Sequence, residues 1–438
     1  MSFPRYPEYK DSGVEWLGQV PASWSLGKFR HYFSESSEKI ESEVYGEMLS
    51  VSGYRGIEPK QYGDENQKRT EENLIGYRIV HAGQLVVNTM WLNYAGLGVS
   101  QLEGHVSPAY RSYWVDPSLR KPYVHHLMRS SCYVLGYTKH LTGVRPNSLQ
   151  MGRDDLMSFP ILIPPLPEQE SIANFLDQET AKIDALVAEQ QKLIELLKEK
   201  RQAVISHAVT KGLDPTVKMK DSGVEWLGEV PEHWEVKPIQ WVASINDEVL
   251  PESIDGDYEI EYVDIGSVNL SSGIESSEMH KFKDAPSRAR RIVKNGDVIV
   301  STVRTYLKAI ASVKEPPENM IVSTGFAVIR SKRSLEPNFA KFGLQSSYFI
   351  DEVISRSTGI SYPAINASEL AKIKIPLPLA EEQIVIFEYL NEQTLEIDSL
   401  ISESQKIIVL SQERRSALIS AAVTGQIDVR NYQPNLAA

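Results

Sequence analysis

The chain has 438 residues, 42% of them hydrophobic and 24% charged, with a formal net charge of −12 and one cysteine. That length accommodates two or three soluble domains, and no run of about eighteen apolar residues marks a membrane span. Residues 1–20 show no apolar signal segment, and the lone Cys132 excludes an intrachain disulfide framework and fits a reducing, cytoplasmic setting, where it reads as a small buried residue.

In chain order, the first recognisable stretch is Lys10-Asp11-Ser12-Gly13-Val14-Glu15-Trp16-Leu17-Gly18, followed by Val20-Pro21 and Trp24. It reads as an extended strap whose tryptophans anchor on a core. A head of about 140 residues follows. Its strand-like runs are Arg78–Val80, Gln84–Val87, Val106–Tyr110 and Tyr113–Val115, with Ala82-Gly83 as a turn. Asn88, Thr89, Trp91, Asn93 and Tyr94 come just after the Gly-turn strand. A second polar loop, with Lys139, Thr142, Gly143, Arg145 and Asn147, precedes the end of the head. Amides and guanidinium groups suit adenine and guanine edges, and lysines and hydroxyls suit phosphates. Solvated strand-end loops are the alternative for any one of these residues.

Pro164-Pro165-Leu166-Pro167-Glu168-Gln169 then opens a stretch without proline or glycine as far as Gly212. Apolar residues at Ile172, Leu176, Ile183, Leu186, Leu193, Leu197 and Val204 recur in steps of three and four, predicting one long helix with a narrow buried seam. Pro167 suits its first turn, and Gly212 with Pro215 its end.

The whole arrangement then repeats. Lys220 to Gly228, Val230-Pro231 and Trp234 restate the strap, and Arg291–Val293, Asp297–Val300, Ile321–Phe326 and Ala327–Ile329 restate the strands. Glu382-Gln383, Leu390, Thr394, Ile397-Asp398, Arg415 and Ala422-Val423-Thr424 restate the helix without a gap. A period this long is a duplicated domain-plus-helix unit rather than a solenoid. The second head offers Ser301, Thr302, Arg304, Tyr306 and Lys308 after its Gly-turn strand, and Arg356, Thr358, Gly359, Ser361 and Tyr362 in its later loop. It also holds Lys281, Lys283, Arg288, Arg290, Arg291 and Lys294 against Asp284 alone, a basic run that points to nucleic acid or to a solvated face. The heads diverge strongly while straps and helices hardly do. Unlike heads suggest different targets, and like supports suggest one repeated partner.

The charge is uneven. Glu168 to Arg201 carries eight acids and five bases, net −3, and Glu381 to Arg415 eight acids and three bases, net −5. Acidic helices suit contact with protein better than contact with phosphate. No phosphate-binding glycine loop, no amino-methyltransferase tetrapeptide and no nucleophile elbow is present. The adjacent His125-His126 makes a poor metal site.

On these residues the chain resembles the specificity subunits of Type I restriction–modification systems. The carrying features are the two Lys-Asp-Ser-Gly-Val-Glu-Trp-Leu-Gly straps, Pro164 to Gln169 leading to Ile183-Asp184, and Ala208-Val209-Thr210-Lys211-Gly212. In the second half, Ala380 replaces the proline of the helix entry. The resemblance implies an α+β fold. Two mixed α/β target recognition domains (1–163 and 212–375) would be separated by two long helices (164–211 and 376–424) packed antiparallel as a coiled coil. A tail (425–438) would follow, and the whole would carry an internal pseudo-twofold repeat.

The resemblance further implies that each head reads one half of an asymmetric site in double-stranded DNA. The helices would act as a ruler holding the half-sites roughly 34 Å apart. They would also dock two modification subunits, which bind S-adenosylmethionine and methylate adenine. Two restriction subunits would bring ATP and Mg. This chain would hold no cofactor or metal and no catalysis of its own. A scaffold without sequence-specific DNA binding and a self-sufficient enzyme remain the alternatives.

Overall fold

The computed structural model describes residues 3–62, 71–143 and 149–432. The chain divides into two compact units, one of residues 1–190 with 406–438, the other of residues 191–405. Each unit therefore holds one strap, one head and a segment from each long helix.

The straps are short hairpins, Tyr9–Asp11 with Gln19–Pro21 and Met219–Asp221 with Glu229–Pro231. Each is tightened by Asp and Ser side chains that accept from the turn amides at Gly13 and Val14, and likewise at Gly223 and Val224. Trp24 and Trp234 are fully buried, as the strap pattern predicts. Trp16 packs flat on Phe159, but its counterpart Trp226 is exposed. The repeat therefore preserves this residue type without preserving its environment.

Each head leaves and returns through one antiparallel pair, Ser25–Lys28 with Pro160–Ile163 in the first and Glu235–Pro238 with Lys374–Leu377 in the second. Between these lie two four-stranded sheets of the same order in both heads. In the first head the orders are Gly56–Pro59, Glu47–Ser52, Gly104–Val106, Arg78–Val80, and Phe33–Glu35, Arg111–Val115, Gln84–Val87, Leu97–Val99. In the second they are Glu278–Lys281, Glu259–Val263, Met320–Ser323, Ala289–Ile292, and Ala243–Ile245, Phe326–Ser331, Val298–Ser301, Ile310–Ser312. One pair in each head is parallel, Glu47–Ser52 with Gly104–Val106 and Glu259–Val263 with Met320–Ser323. Two sequence expectations shift. The run predicted over 106–110 ends at Val106, because residues 107–110 close a turn through Tyr110 N–H to Ser107 O. The run over 321–326 breaks before Phe326, where Gly325 N–H turns to the Ser323 hydroxyl.

The long helices run Leu166–Lys211 and Ala380–Val423. Their segments pack antiparallel within each unit. In one, Arg415 donates to Asp184 at 3.0 Å; in the other, Arg201 donates to Asp398 at 3.0 Å. The two ion pairs are the same pair, repeated. The buried seam differs in part from the predicted one. Ile172, Leu176, Ile183 and Leu197 are buried, but Leu186 and Leu193 are exposed and their neighbours Val187 and Ile194 face inward. Paired apolar residues at 186–187 and 193–194 satisfy either register, so periodicity alone does not choose between them.

Glu168 and Glu382 explain the repeated Glu-Gln motif. Trp24 Nε1–H donates to Glu168 at 2.8 Å, and Trp234 Nε1–H donates to Glu382 at 2.9 Å. The adjoining Gln169 accepts from Arg120 N–H and donates to Ser118 O and Pro164 O; Gln383 does the same with Glu336, Ser334 and Pro378. The far end of the partner helix meets the same tryptophan. Gly425, at φ 72°, lies against Pro21 and Trp24, and Gly212, at φ 76°, against Trp234 and Pro231. A methyl at 425 would collide with Pro21, whereas the nearest atom to one at 212 is Trp234 Cζ2 at 3.4 Å. Gly212→Ala is therefore expected to cost about 1 kcal/mol for its left-handed backbone. Gly425→Ala adds about 1–3 kcal/mol of overpacking. Urea unfolding of the two variants checks this ordering.

Candidate nucleic-acid interface

In the first head, the antiparallel pair Gln84–Val87 and Leu97–Val99 is joined by residues 88–96. Buried Leu92 pins this loop from below, and Leu92–Tyr94 form one 3-10 turn that ends at Ala95, φ 53°. Gly96 has no room for a side chain, since a Cβ would stand 2.6 Å from Trp91 O. The sequence-predicted residues then separate. Asn88 is buried and its Oδ1 accepts from Met90 N–H; Thr89 O accepts from Met151 N–H. Asn93 is half-buried. Trp91 and Tyr94 are exposed, their rings 5.7 Å apart. The Thr89–Met151 bond brings in the second predicted loop, where Leu141–Thr142 pair with Gln150–Met151. Thr142 and Gly143 (φ 155°) are exposed there. Lys139 is held by Glu15 at 2.8 Å, and Arg145 and Asn147 lie outside the described residues.

The second head repeats the frame with different chemistry. Val298–Ser301 and Ile310–Ser312 are joined through the 3-10 turn Thr305–Leu307, which ends at Lys308, φ 52°. Ser301 and Thr302 face inward, donating to Val303 O and Gly325 O. Arg304, Tyr306 and Lys308 are exposed. The later loop joins them: Val303 bridges Ala364, and Thr358 and Ala364 exchange backbone hydrogen bonds of 2.9 Å. Arg356 is paired with Glu352 at 2.7 Å. Gly359 has φ 109°, Ser361 is exposed, and exposed Tyr362 lies with its ring 5.0 Å from the Arg304 guanidinium.

The basic run does not form one uncompensated patch. Lys281 and Lys283 share Asp257 at 3.2 and 2.8 Å, and Lys294 pairs with Glu248. Arg290 stacks on Phe282, and Arg291 is half-buried, where burial lowers its pKa. A count of neighbouring acids missed Asp257 and Glu248 because folding brings them from tens of residues away. Arg288 remains exposed, and with Arg304, Tyr362, Asp264 and Glu278 it lines a cleft of about 680 Å³.

Sequence reasoning also missed the groups that hold these loops. Arg129 is half-buried and donates to Ser52 O, Gly53 O, Ala95 O and Leu97 O, fixing the end of the Trp91 loop. Gln345 does the corresponding work in the second head, donating to Leu270 O and Ile310 O. No motif marks either residue. His125 is a structural partner, accepting from Val99 N–H, and burial pushes its pKa down to about 3. His126 Nε2 lies 2.7 Å from Asp177. Cys132 is half-buried and donates its thiol proton to Trp16 O; burial raises its pKa.

The comparisons bear on this frame. The family model described as "Type I restriction modification DNA specificity domain" matches residues 231–409. The Type I restriction enzyme MjaVIII specificity subunit of Methanocaldococcus jannaschii is 27% identical over 278 residues, 62% of this chain and 63% of that one. The EcoBI specificity subunit of Escherichia coli is 25% identical over 287 residues, 60% of this chain and 58% of that one. Residues 231–409 thus match the Type I specificity-domain model, and the chain is similar to Type I specificity subunits.

The chain aligns with a little under two thirds of the length of the first curated relatives, 63% and 65%. Its fold extends further. A chain from a structure of a type I R-M system, reported for complex assembly and conformational transition, matches with a TM-score of 0.69 at 15% identity, over 93% of this chain and 99% of that one. The HsdS subunit of Thermoanaerobacter tengcongensis matches with a TM-score of 0.50 at 16% identity, over 93% and 98%. Among the described residues no helix is long and apolar enough to cross a membrane.

One cluster in the first head gives a pH test of its fold. His81 lies 2.9 Å from Glu38 through Nε2 and 2.9 Å from Glu103 through Nδ1, and stacks on Trp114. The Glu38 hydrogen bond, and then that of Glu103, raise its pKa above 6.5 against an opposing effect of burial. The folded state holds this proton more tightly than the unfolded chain. Its stabilisation is therefore full below about 6.5 and is lost as pH rises through the folded value. An NMR titration is expected to place the His81 midpoint above 6.5, and Glu38→Gln is expected to lower it.

Proposed function

We propose that this chain is the DNA sequence-recognition subunit of a Type I restriction–modification complex. Each head reads one half of a split, asymmetric duplex site. The long helices set the gap between halves and dock two modification subunits that carry S-adenosylmethionine. Two restriction subunits, with ATP and Mg, complete a cytoplasmic assembly, and this chain supplies recognition without catalysis.

The observation that carries the reading is a shared frame with unshared tips. The connecting loops have the same 3-10 turn and the same left-handed exit, at Ala95 and Lys308. Trp91 and Arg304 occupy the same place in them, as do Asn93 and Tyr306. A constant loop bearing different side chains suits reading of different bases. The helices favour one repeated protein partner. Leu186, Leu193 and Leu196 are exposed at 39%, 41% and 52%, and their repeats Leu400, Ile407 and Leu410 at 43%, 40% and 63%. Repeated exposed apolar positions on acidic helices suit protein docking rather than phosphate contact.

The test is binding to duplex DNA by the chain co-purified with a Type I modification subunit. Affinity for a selected duplex is expected to fall at least about tenfold between 50 and 200 mM salt. Leu196→Glu with Leu410→Glu is expected to abolish co-purification while leaving thermal unfolding unchanged. A complex that forms normally but binds no duplex in preference to another contradicts recognition and favours the scaffold.

A further inference from the structure

We infer that Arg304 reads a guanine in the half-site of the second head. This rests on the DNA-recognition reading above and adds which side chain meets which base. Arg304 has φ 51° and ψ 48°, a left-handed conformation that a non-glycine residue adopts only when its surroundings impose it. They do so here: Val303 is bridged to Ala364, and Thr305 is buried with its hydroxyl 2.8 Å from the Ser357 hydroxyl. Both neighbours of Arg304 in sequence are therefore fixed, and its side chain leaves the loop in one direction.

The guanidinium then stacks on the Tyr362 ring at 5.0 Å. Stacking fixes the plane of the fork and occupies its face, leaving the N–H edge free. Three other arginines of this unit are already engaged, Arg201 with Asp398, Arg330 with Asp297 and Arg356 with Glu352. Arg304 has no carboxylate within ion-pair distance among the described residues.

A planar, oriented and unspent fork matches guanine O6 and N7 in the major groove, where arginine makes two parallel hydrogen bonds. A phosphate contact would need only a charge. The cleft also disfavours phosphate, since Asp264 and Glu278 share its lining with Arg304. Lys308, exposed and without a carboxylate partner among the described residues, suits a flanking phosphate. The first head has Trp91 at the equivalent place, so this arginine contact has no counterpart at that position.

The experiment selects bound duplexes from a randomised library with the chain–modification-subunit complex, comparing the unsubstituted chain with Arg304→Ala, Arg304→Lys and Lys308→Ala. The expected result is a split motif with a G·C pair in one half. In Arg304→Ala and Arg304→Lys that single position loses its preference by roughly tenfold or more, while every other position persists. Retention of the other half-motif and of co-purification shows that the variants are folded. Lys308→Ala weakens all sites alike and leaves the motif unchanged. Unchanged preference at every position in Arg304→Ala, or relaxation at an A·T pair, overturns the assignment while the recognition reading stands. No motif with the unsubstituted complex overturns both.

Discussion

The structure depends, in each unit, on a buried tryptophan that meets the start of one long helix and the end of the other. In one unit Trp24 donates to Glu168 at the start of the first long helix and lies against Gly425 at the end of the second. In the other unit Trp234 does the same with Glu382 and Gly212. A hydrogen bond to a charged acceptor contributes about 1.5–3 kcal/mol, and the fully buried indole adds its apolar area. The left-handed glycine is what lets the helix end approach so closely. Tyr6 reinforces the first clamp by donating to Glu168 at 3.1 Å, and burial, then Glu168, raises its pKa. Neighbouring Gln169 and Gln383 extend the clamp to the head helices, so strap, helix and head are tied at one place in each unit.

That arrangement accounts for what diverges and what does not. Glu168 and Glu382 each serve two side chains, and Gln169 and Gln383 each make three hydrogen bonds, so a substitution there leaves buried groups unsatisfied. The loop tips have none of these obligations. Trp91 and Arg304 stand at the same position of the same turn, yet neither is needed to hold it, because Leu92, Gly96 and Arg129 in one head and Thr305 and Gln345 in the other do so. The frame is held from beneath, which leaves the surface free to differ.

The sequence made the duplication, the long helices and several of the strand runs of the heads legible, since these rest on periodicity and repeated motifs. It did not separate Asn88, Ser301 and Thr302, which turn inward, from Trp91, Arg304 and Tyr306, which face out, because polar residues serve turns and ligands equally well. It marked Glu168-Gln169 as a motif without revealing its partners, which lie at Trp24 and Ser118. It also read the basic run from 281 to 294 as uncompensated, because Asp257 and Glu248 are distant in sequence and near only in the fold. The helix seam was ambiguous where apolar residues came in pairs.

The central claim is that one chain holds two independent readers on one repeated support. The most direct measurement is a genome-wide map of methylated adenines in a methylation-free host that expresses this chain with a Type I modification subunit, before and after residues 25–159 are exchanged for those of another specificity subunit. The account predicts a two-part motif with a fixed unspecified gap, and an exchange that rewrites one part while leaving the gap and the other part intact. A motif that changes in both parts, or methylation that is independent of sequence, would contradict it.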